Sequence, residues 1–132
     1  MGLILLGSSI CGIEEWIDIT AQQKEVLEGG SNFPTTYLIP KTGAAPSWIT
    51  GSHVSVALRI TQKEPVPAFH SVLGSPVVST SANFHGGEEL NSFEAVQRVL
   101  SGVVDYIVEG FIDSSAKPSK IVDILTNEVI RG

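Results

Sequence analysis

The stretch Ser79-Thr80-Ser81-Ala82-Asn83-Phe84-His85-Gly86-Gly87 gathers hydroxyls, an amide and flexible glycines directly after the apolar run Val77-Val78. The end of a strand in an α/β sheet is where such folds bind ligands. Ser81 and Asn83 can each donate and accept hydrogen bonds, and glycines let backbone N–H groups approach a phosphate or a carboxylate. Composition alone reads the same stretch as an ordinary Ser/Asn turn. A second polar group, Lys117-Pro118-Ser119-Lys120, precedes the apolar run Ile121 to Leu125, and Arg131 follows Val129-Ile130. Cations beside a hydroxyl at strand ends suit an anionic ligand. Arg59 stands inside the apolar run Val54 to Ile60. An arginine there pairs with a carboxylate or binds an anion, or else it marks an exposed edge strand.

Other chemistry finds little support. The sequence contains no P-loop, no G-x-G-x-x-G, no nucleophile elbow and no H-E-x-x-H. His53, His70 and His85 are far apart with few local carboxylates, so the expectation is no metal site and histidines in loops or at the surface. Glu14-Glu15 reads as a solvated helix start rather than an acid/base pair. Cys11 is the single cysteine, which excludes an internal disulfide framework and suits a reducing, cytoplasmic setting.

Fourteen acidic against eight basic residues give a net charge of −6, which argues against binding nucleic acid through bulk charge. With 132 residues and 42% hydrophobic content, the expectation is one domain spanning residues 1–132. The apolar start lacks a basic n-region and is broken at Gly7-Ser8-Ser9, so it does not read as a signal peptide. Leu6 stands where a myristoylation signal wants Ser or Thr, and no stretch is long enough to cross a membrane.

The elements that must hold these residues follow from periodicity. Leu3 to Leu6 reads as a strand covered on both faces, and Ile10 to Leu27 as short helical pieces ending at Gly29-Gly30, with a turn over 29–32. Thr35 to Ile39 and Val54 to Ile60 are strands, separated by a loop from Pro40 to Pro46. Pro65 to Leu73 is a helix with Ala68, Phe69, Val72 and Leu73 on one face and Gly74 past its end. Pro76 to Thr80 is a strand. Ser92 caps a helix carrying Ala95, Val96, Val99 and Leu100, closed by Gly102. Val103 to Val108 is strand-like, and Ile121 to Leu125 with Val129-Ile130 form a hairpin around Thr126-Asn127-Glu128. Alternating strands and helices make the class α/β with a mixed sheet.

In this order the pieces resemble the YrdC-like family of threonylcarbamoyl-AMP synthases. The resemblance is carried by Gly2-Leu-Ile-Leu5, Phe33-Pro-Thr-Thr36 with Tyr37 to Pro40, Pro46 to Gly51, Val54 to Arg59, Gly74 to Asn83 with its Ser-Ala-Asn, Pro118 to Asp123, and the terminal Ile130-Arg131-Gly132. It implies a twisted mixed sheet with flanking helices around a concave, positively lined cavity. It also implies a reaction in which L-threonine, bicarbonate and ATP, with magnesium, give threonylcarbamoyl-AMP and pyrophosphate on the way to threonylcarbamoyladenosine in tRNA. Carried over by position, Arg59, Ser81 and Ser119 would contact threonine, while Thr36, Ser55, Asn83, Asn91 and Arg131 would lie nearer the nucleotide, with Ser81 and Asn83 closest to the reacting groups. Downstream tRNA-threonylcarbamoyl transferase proteins would take the product.

The sequence departs from the family in places. Phe33 replaces a glycine, His85 stands where serine is common, and no Lys-x-Arg pair occurs. Met1 falls near the family's lysine before Gly-Leu-Ile, so the expectation is an N-terminally truncated member with an exposed sheet edge open to self-association. Two further readings stay open: a module binding tRNA or double-stranded RNA, and an inactive remnant.

Overall fold

A computed structural model describes residues 2–29, 33–110 and 117–131. Six strands and four α-helices occur among them: β1 (Ile4–Gly7), α1 (Ala21–Glu28), β2 (Thr35–Pro40), α2 (Ser47–Thr50), β3 (Ser55–Ile60), α3 (Val66–Leu73), β4 (Val77–Ser79), α4 (Phe93–Leu100), β5 (Lys120–Asp123) and β6 (Val129–Arg131). A short 3₁₀ helix at Glu14–Trp16 lies between β1 and α1. Two compact units divide the chain: Met1–Ser79 with Pro118–Gly132, which contains every strand, and Thr80–Lys117, which contains α4.

The first unit is one open sheet in the order β4-β1-β3-β2-β5-β6. β1 runs parallel to β3 and β2 parallel to β5, while the remaining pairs are antiparallel. The mixed α/β sheet with flanking helices therefore stands as the sequence reads. Alternation along the strands separates its two faces. Leu5, Ile39, Val56, Leu58 and Val122 are buried, and Leu5, Ile39, Val56 and Leu58 share a core with Ile10, Ile13, Ile17, Leu27, Ile49 and Ile124. Positions one residue away, among them Ile4, Leu6, Leu38, Ala57 and Ile121, are only half-buried. The polar residues Ser55 and Arg59 stand among these.

The helix ends follow local chemistry. Thr20 accepts from the Gln23 N–H while the Gln23 side chain accepts from the Thr20 N–H, a capping box that starts α1. Ser92 accepts from the Ala95 N–H at 3.1 Å and starts α4. Gly74 ends α3 in the left-handed region at φ 75°, its N–H donating to the His70 carbonyl at 2.7 Å.

Four expectations are corrected. Val103 to Val108 forms no strand: the Val103 and Val104 N–H groups both donate to the Leu100 carbonyl in the turn that closes α4, and Tyr106 is 83% exposed. The apolar residues of α3 face outward, Val72 at 85% exposure, while His70 turns inward at 6%, so this histidine is neither a surface nor a loop residue. β5 stops at Asp123, whose carboxylate accepts from the Leu125 N–H, and the hairpin turn spans 124–128 with Asn127 at φ 59°. Arg59 is not on an edge, because β3 lies between β1 and β2. The turn expected over 29–32 falls mostly outside the described residues. Among the described residues no helix is long and apolar enough to cross a membrane.

Two glycines separate the cost of backbone strain from the cost of collision. Gly12 has φ 98°, and a Cβ there would stand 2.3 Å from the Gly74 carbonyl oxygen, whereas Gly74 has nothing within 4 Å of its Cβ position. Gly74→Ala is expected to lose about 1 kcal/mol, the cost of the left-handed conformation alone. Gly12→Ala should lose more than ~3 kcal/mol, since packed backbone must also move. Urea unfolding of the two variants checks the difference; equal losses would rule out the close approach.

Candidate functional site

The parallel register of β2 and β5 brings together three of the residues singled out by sequence. Thr36 pairs with Ile121, and the Lys120 N–H donates to the Pro34 carbonyl at 2.9 Å, so Ser119 arrives beside Thr36. Their hydroxyls are 2.6 Å apart, and Thr36 is completely buried. Ile121 also pairs with Arg131 across β5 and β6. The Arg131 guanidinium donates to the Ser119 carbonyl from Nε at 3.1 Å and from Nη2 at 2.6 Å, and reaches the Ser119 hydroxyl at 3.4 Å. The main chain thus orients this arginine, with no carboxylate against it among the described residues, and its charge stays available to an anion there.

Arg59 belongs to the same face. Tyr37 pairs with Leu58 in the antiparallel ladder, which makes Thr36 and Arg59 next in line on their two strands. The guanidinium is half-buried, and desolvation lowers its pKa below the ordinary arginine value. Among the described residues no carboxylate pairs with it, the ion pair present there being Lys24 with Glu28 at 3.7 Å. A partly desolvated cation without a partner is costly unless a ligand supplies the anion. Ser55 sits on this face at the other end of β3, opposite Pro40 and about 13 Å along the strand from Arg59.

Ser81, Asn83 and Asn91 belong to the second unit. The Asn83 amide donates to the carbonyls of Phe84 at 2.9 Å and Gly87 at 3.1 Å, and the Leu90 N–H donates to the Ala82 carbonyl at 2.9 Å. Asn83 is therefore the side chain that ties the glycine-rich loop, with Gly86 at φ 79°. Its Oδ1 is buried without a hydrogen-bond partner, a state that few native polar atoms tolerate. That atom can accept from an N–H or O–H. Ser81 and Asn91 are exposed, and Asn91 directly precedes the cap Ser92.

A concavity of about 370 Å³ opens where the end of β3 meets the start of β2 and the last turn of α1, with Glu28, Phe33, Tyr37, Arg59, Thr61 and Lys63 in its lining. It opens on the side of β2 that carries Thr35 and Tyr37, whereas Thr36 and the Ser119–Arg131 group lie on the other side. The two features have only Arg59 in common. Sequence spacing gives no sign of Tyr37 or Lys63, because strand pairing alone brings them together.

The sheet is open and mixed, and it carries Arg59, Arg131, Thr36 and Ser119 on one face. The family model Sua5/YciO/YrdC, described as telomere recombination, matches residues 1–132, and the chain belongs to that family. A threonylcarbamoyl-AMP synthase of Cellvibrio japonicus is 37% identical over 131 residues, covering 98% of this chain and 69% of that protein. One of Xanthomonas oryzae pv. oryzae is 33% identical over 134 residues, covering 98% of this chain and 71% of that protein. Among solved structures, P. abyssi Sua5 complexed with L-threonine superposes with a TM-score of 0.75 at 25% identity, covering 92% of this chain and 36% of that one. E. coli YciO gives a TM-score of 0.74 at 17% identity, covering 99% of this chain and 67% of that one, a likeness of fold. The chain thus spans 69–71% of these two curated relatives and about a third of Sua5.

Removing the unpartnered charge should separate stability from binding. Arg59→Met keeps the length and apolar stem of the side chain, so the urea midpoint is expected to stay level or rise while affinity for a small carboxylate ligand falls. A lower midpoint would mean that Arg59 is held by a protein partner.

Proposed function

We propose that this chain takes part in making threonylcarbamoyl-AMP from L-threonine, bicarbonate and ATP, the step that supplies threonylcarbamoyladenosine to tRNA. The observation that carries the reading is the unpartnered Arg59 beside the Thr36–Ser119–Arg131 group, in a chain whose relatives of that name match 98% of its length. Arg59 would hold the threonine carboxylate with two parallel N–H donors, next to the Ser119 hydroxyl. Arg131, already oriented by the Ser119 carbonyl, would face nucleotide phosphate, while the buried Thr36 would act only by holding the Ser119 hydroxyl, and Ser55, at the far end of β3, would lie away from that phosphate.

The Asn83 Oδ1, the acceptor left open in its loop, would take a donor of the nucleotide, with Asn91 nearby in sequence. The reaction joins a carbamate oxygen to the α-phosphorus of ATP and expels pyrophosphate. Positioning and charge neutralisation are the main contributions a protein makes to such a transfer. Among the described residues no group of three His, Cys, Asp or Glu side chains is placed to hold a metal ion. Magnesium would enter with the triphosphate, as it commonly does.

Calorimetric titration tests this reading. ATP with magnesium is expected to bind with a Kd below about 1 mM, to bind more tightly once L-threonine is present, and to weaken about tenfold or more in Asn83→Ala. No heat at millimolar ligand, or an Asn83→Ala chain that binds like the parent, would overturn it.

A further inference from the structure

Helix α3 turns one polar side chain inward. His70 is 6% exposed, and both of its ring nitrogens face main-chain groups. The Ser8 N–H donates to Nδ1 at 3.0 Å, and Nε2 lies 2.9 Å from the Cys11 carbonyl oxygen. A carbonyl oxygen only accepts, so Nε2 carries the ring proton and Nδ1 is the bare acceptor. The two partners fix the tautomer of the neutral ring.

Packing around this ring leaves little slack. A Cβ at Gly7 would stand 2.9 Å from His70 Nδ1 and 2.9 Å from Pro76 Cγ. On its other side the segment is held by neighbours of β3: the Gly7 carbonyl accepts from the Thr61 N–H at 2.9 Å, and the Ser8 carbonyl from Gln62 Nε2 at 2.8 Å. Thr61 and Gln62 also line the concavity at the end of β3.

We propose that His70 is a proton-operated latch on the segment Ser8–Cys11. Neutral, the imidazole staples the segment to α3. A proton taken from solvent onto Nδ1 turns the acceptor into a second N–H aimed at the Ser8 N–H. The buried ring then has a donor without an acceptor and the Ser8 amide has lost its partner, so the segment opens to let water satisfy both. Little charge nearby competes with this. α3 carries no other titratable group, and β1 and Gly74–Pro76 carry none. The held segment contributes the exposed Cys11 thiol, and Glu14, just beyond it, has its carboxylate accepting from the Gly12 N–H. The connection entering α3 contributes Lys63 and Glu64. The latch is independent of the reaction proposed above: it predicts looser packing of the concavity's Thr61–Gln62 wall in acid whatever ligand the chain binds.

Amide hydrogen exchange and long-range histidine nitrogen spectra of the whole chain test the latch at about pH 7.5 and about pH 5.5. The spectra should show the Nε2–H tautomer at the higher pH. The Ser8 amide protection factor, corrected for intrinsic exchange, should fall at least about tenfold at the lower pH, while that of Leu58 in β3 holds. In His70→Gln, whose amide offers one donor and one acceptor but takes up no proton in this range, the Ser8 protection factor should not change with pH. An Nδ1–H tautomer, a ring still neutral at the lower pH, or a Ser8 amide equally protected at both pH values would each overturn the proposal. If His70→Gln does not fold, the parent chain at the two pH values decides alone.

Discussion

A hydroxyl removed from water has to find its partner inside the protein, and Thr36 is completely buried. Its partner is the Ser119 hydroxyl, 83 residues away in sequence. A slip of one residue by β2 against its neighbours would turn Thr36 to the other face, leave its hydroxyl without Ser119 and lift Ile39 out of the core. The same register places the Ser119 carbonyl where Arg131 can donate to it twice. One side-chain pair thus ties the pairing of two strands, the separation of core face from polar face, and the direction of the terminal arginine.

Much of this architecture is legible in the sequence, for a physical reason. β1, β2, β3 and β5 are short apolar or β-branched runs bounded by glycine, proline or polar residues, and each strand forms where such a run stands. Ser92 and Gly74 mark helix ends because each supplies what a terminus lacks, a side-chain acceptor in one case and a left-handed backbone in the other. The errors have equally physical causes. In α3 the apolar count points Phe69, Val72 and Leu73 inward, yet two main-chain hydrogen bonds to His70 and the close approach of Gly7 rotate the helix the other way. Periodicity registers hydrophobicity and cannot register a histidine whose nitrogens are both satisfied at long range.

Val103 to Val108 has the composition of a strand but lacks a neighbour, since its first amides are consumed in closing α4. Residue type singles out Arg59, Ser119 and Arg131 as candidates for an anionic ligand, and strand pairing explains why they share a face. The concavity shows the opposite case. Tyr37 and Lys63 are unremarkable in sequence and meet only because β2 and β3 run antiparallel.

The chain carries a net charge of −6, and yet cations dominate one end of the sheet. Topology makes this so. The end of β3, the start of β2, the start of β5 and the end of β6 coincide, because β2 is antiparallel to β3 and parallel to β5, and β6 is antiparallel to β5. Arg59, Lys63, Lys120 and Arg131, half of the eight basic residues, therefore lie at or just beyond that end. Charges further apart than about one Debye length, ~8 Å at physiological ionic strength, are largely screened from one another, so placement counts for more than the total, and Glu28 in the concavity's lining opposes the cations beside it. A net negative protein can thus present a local positive field that attracts a small multivalent anion without binding polyanions in general. Charge placement, which depends on fold, decides the ligand; charge total, which can be read from composition, decides only what the rest of the surface repels.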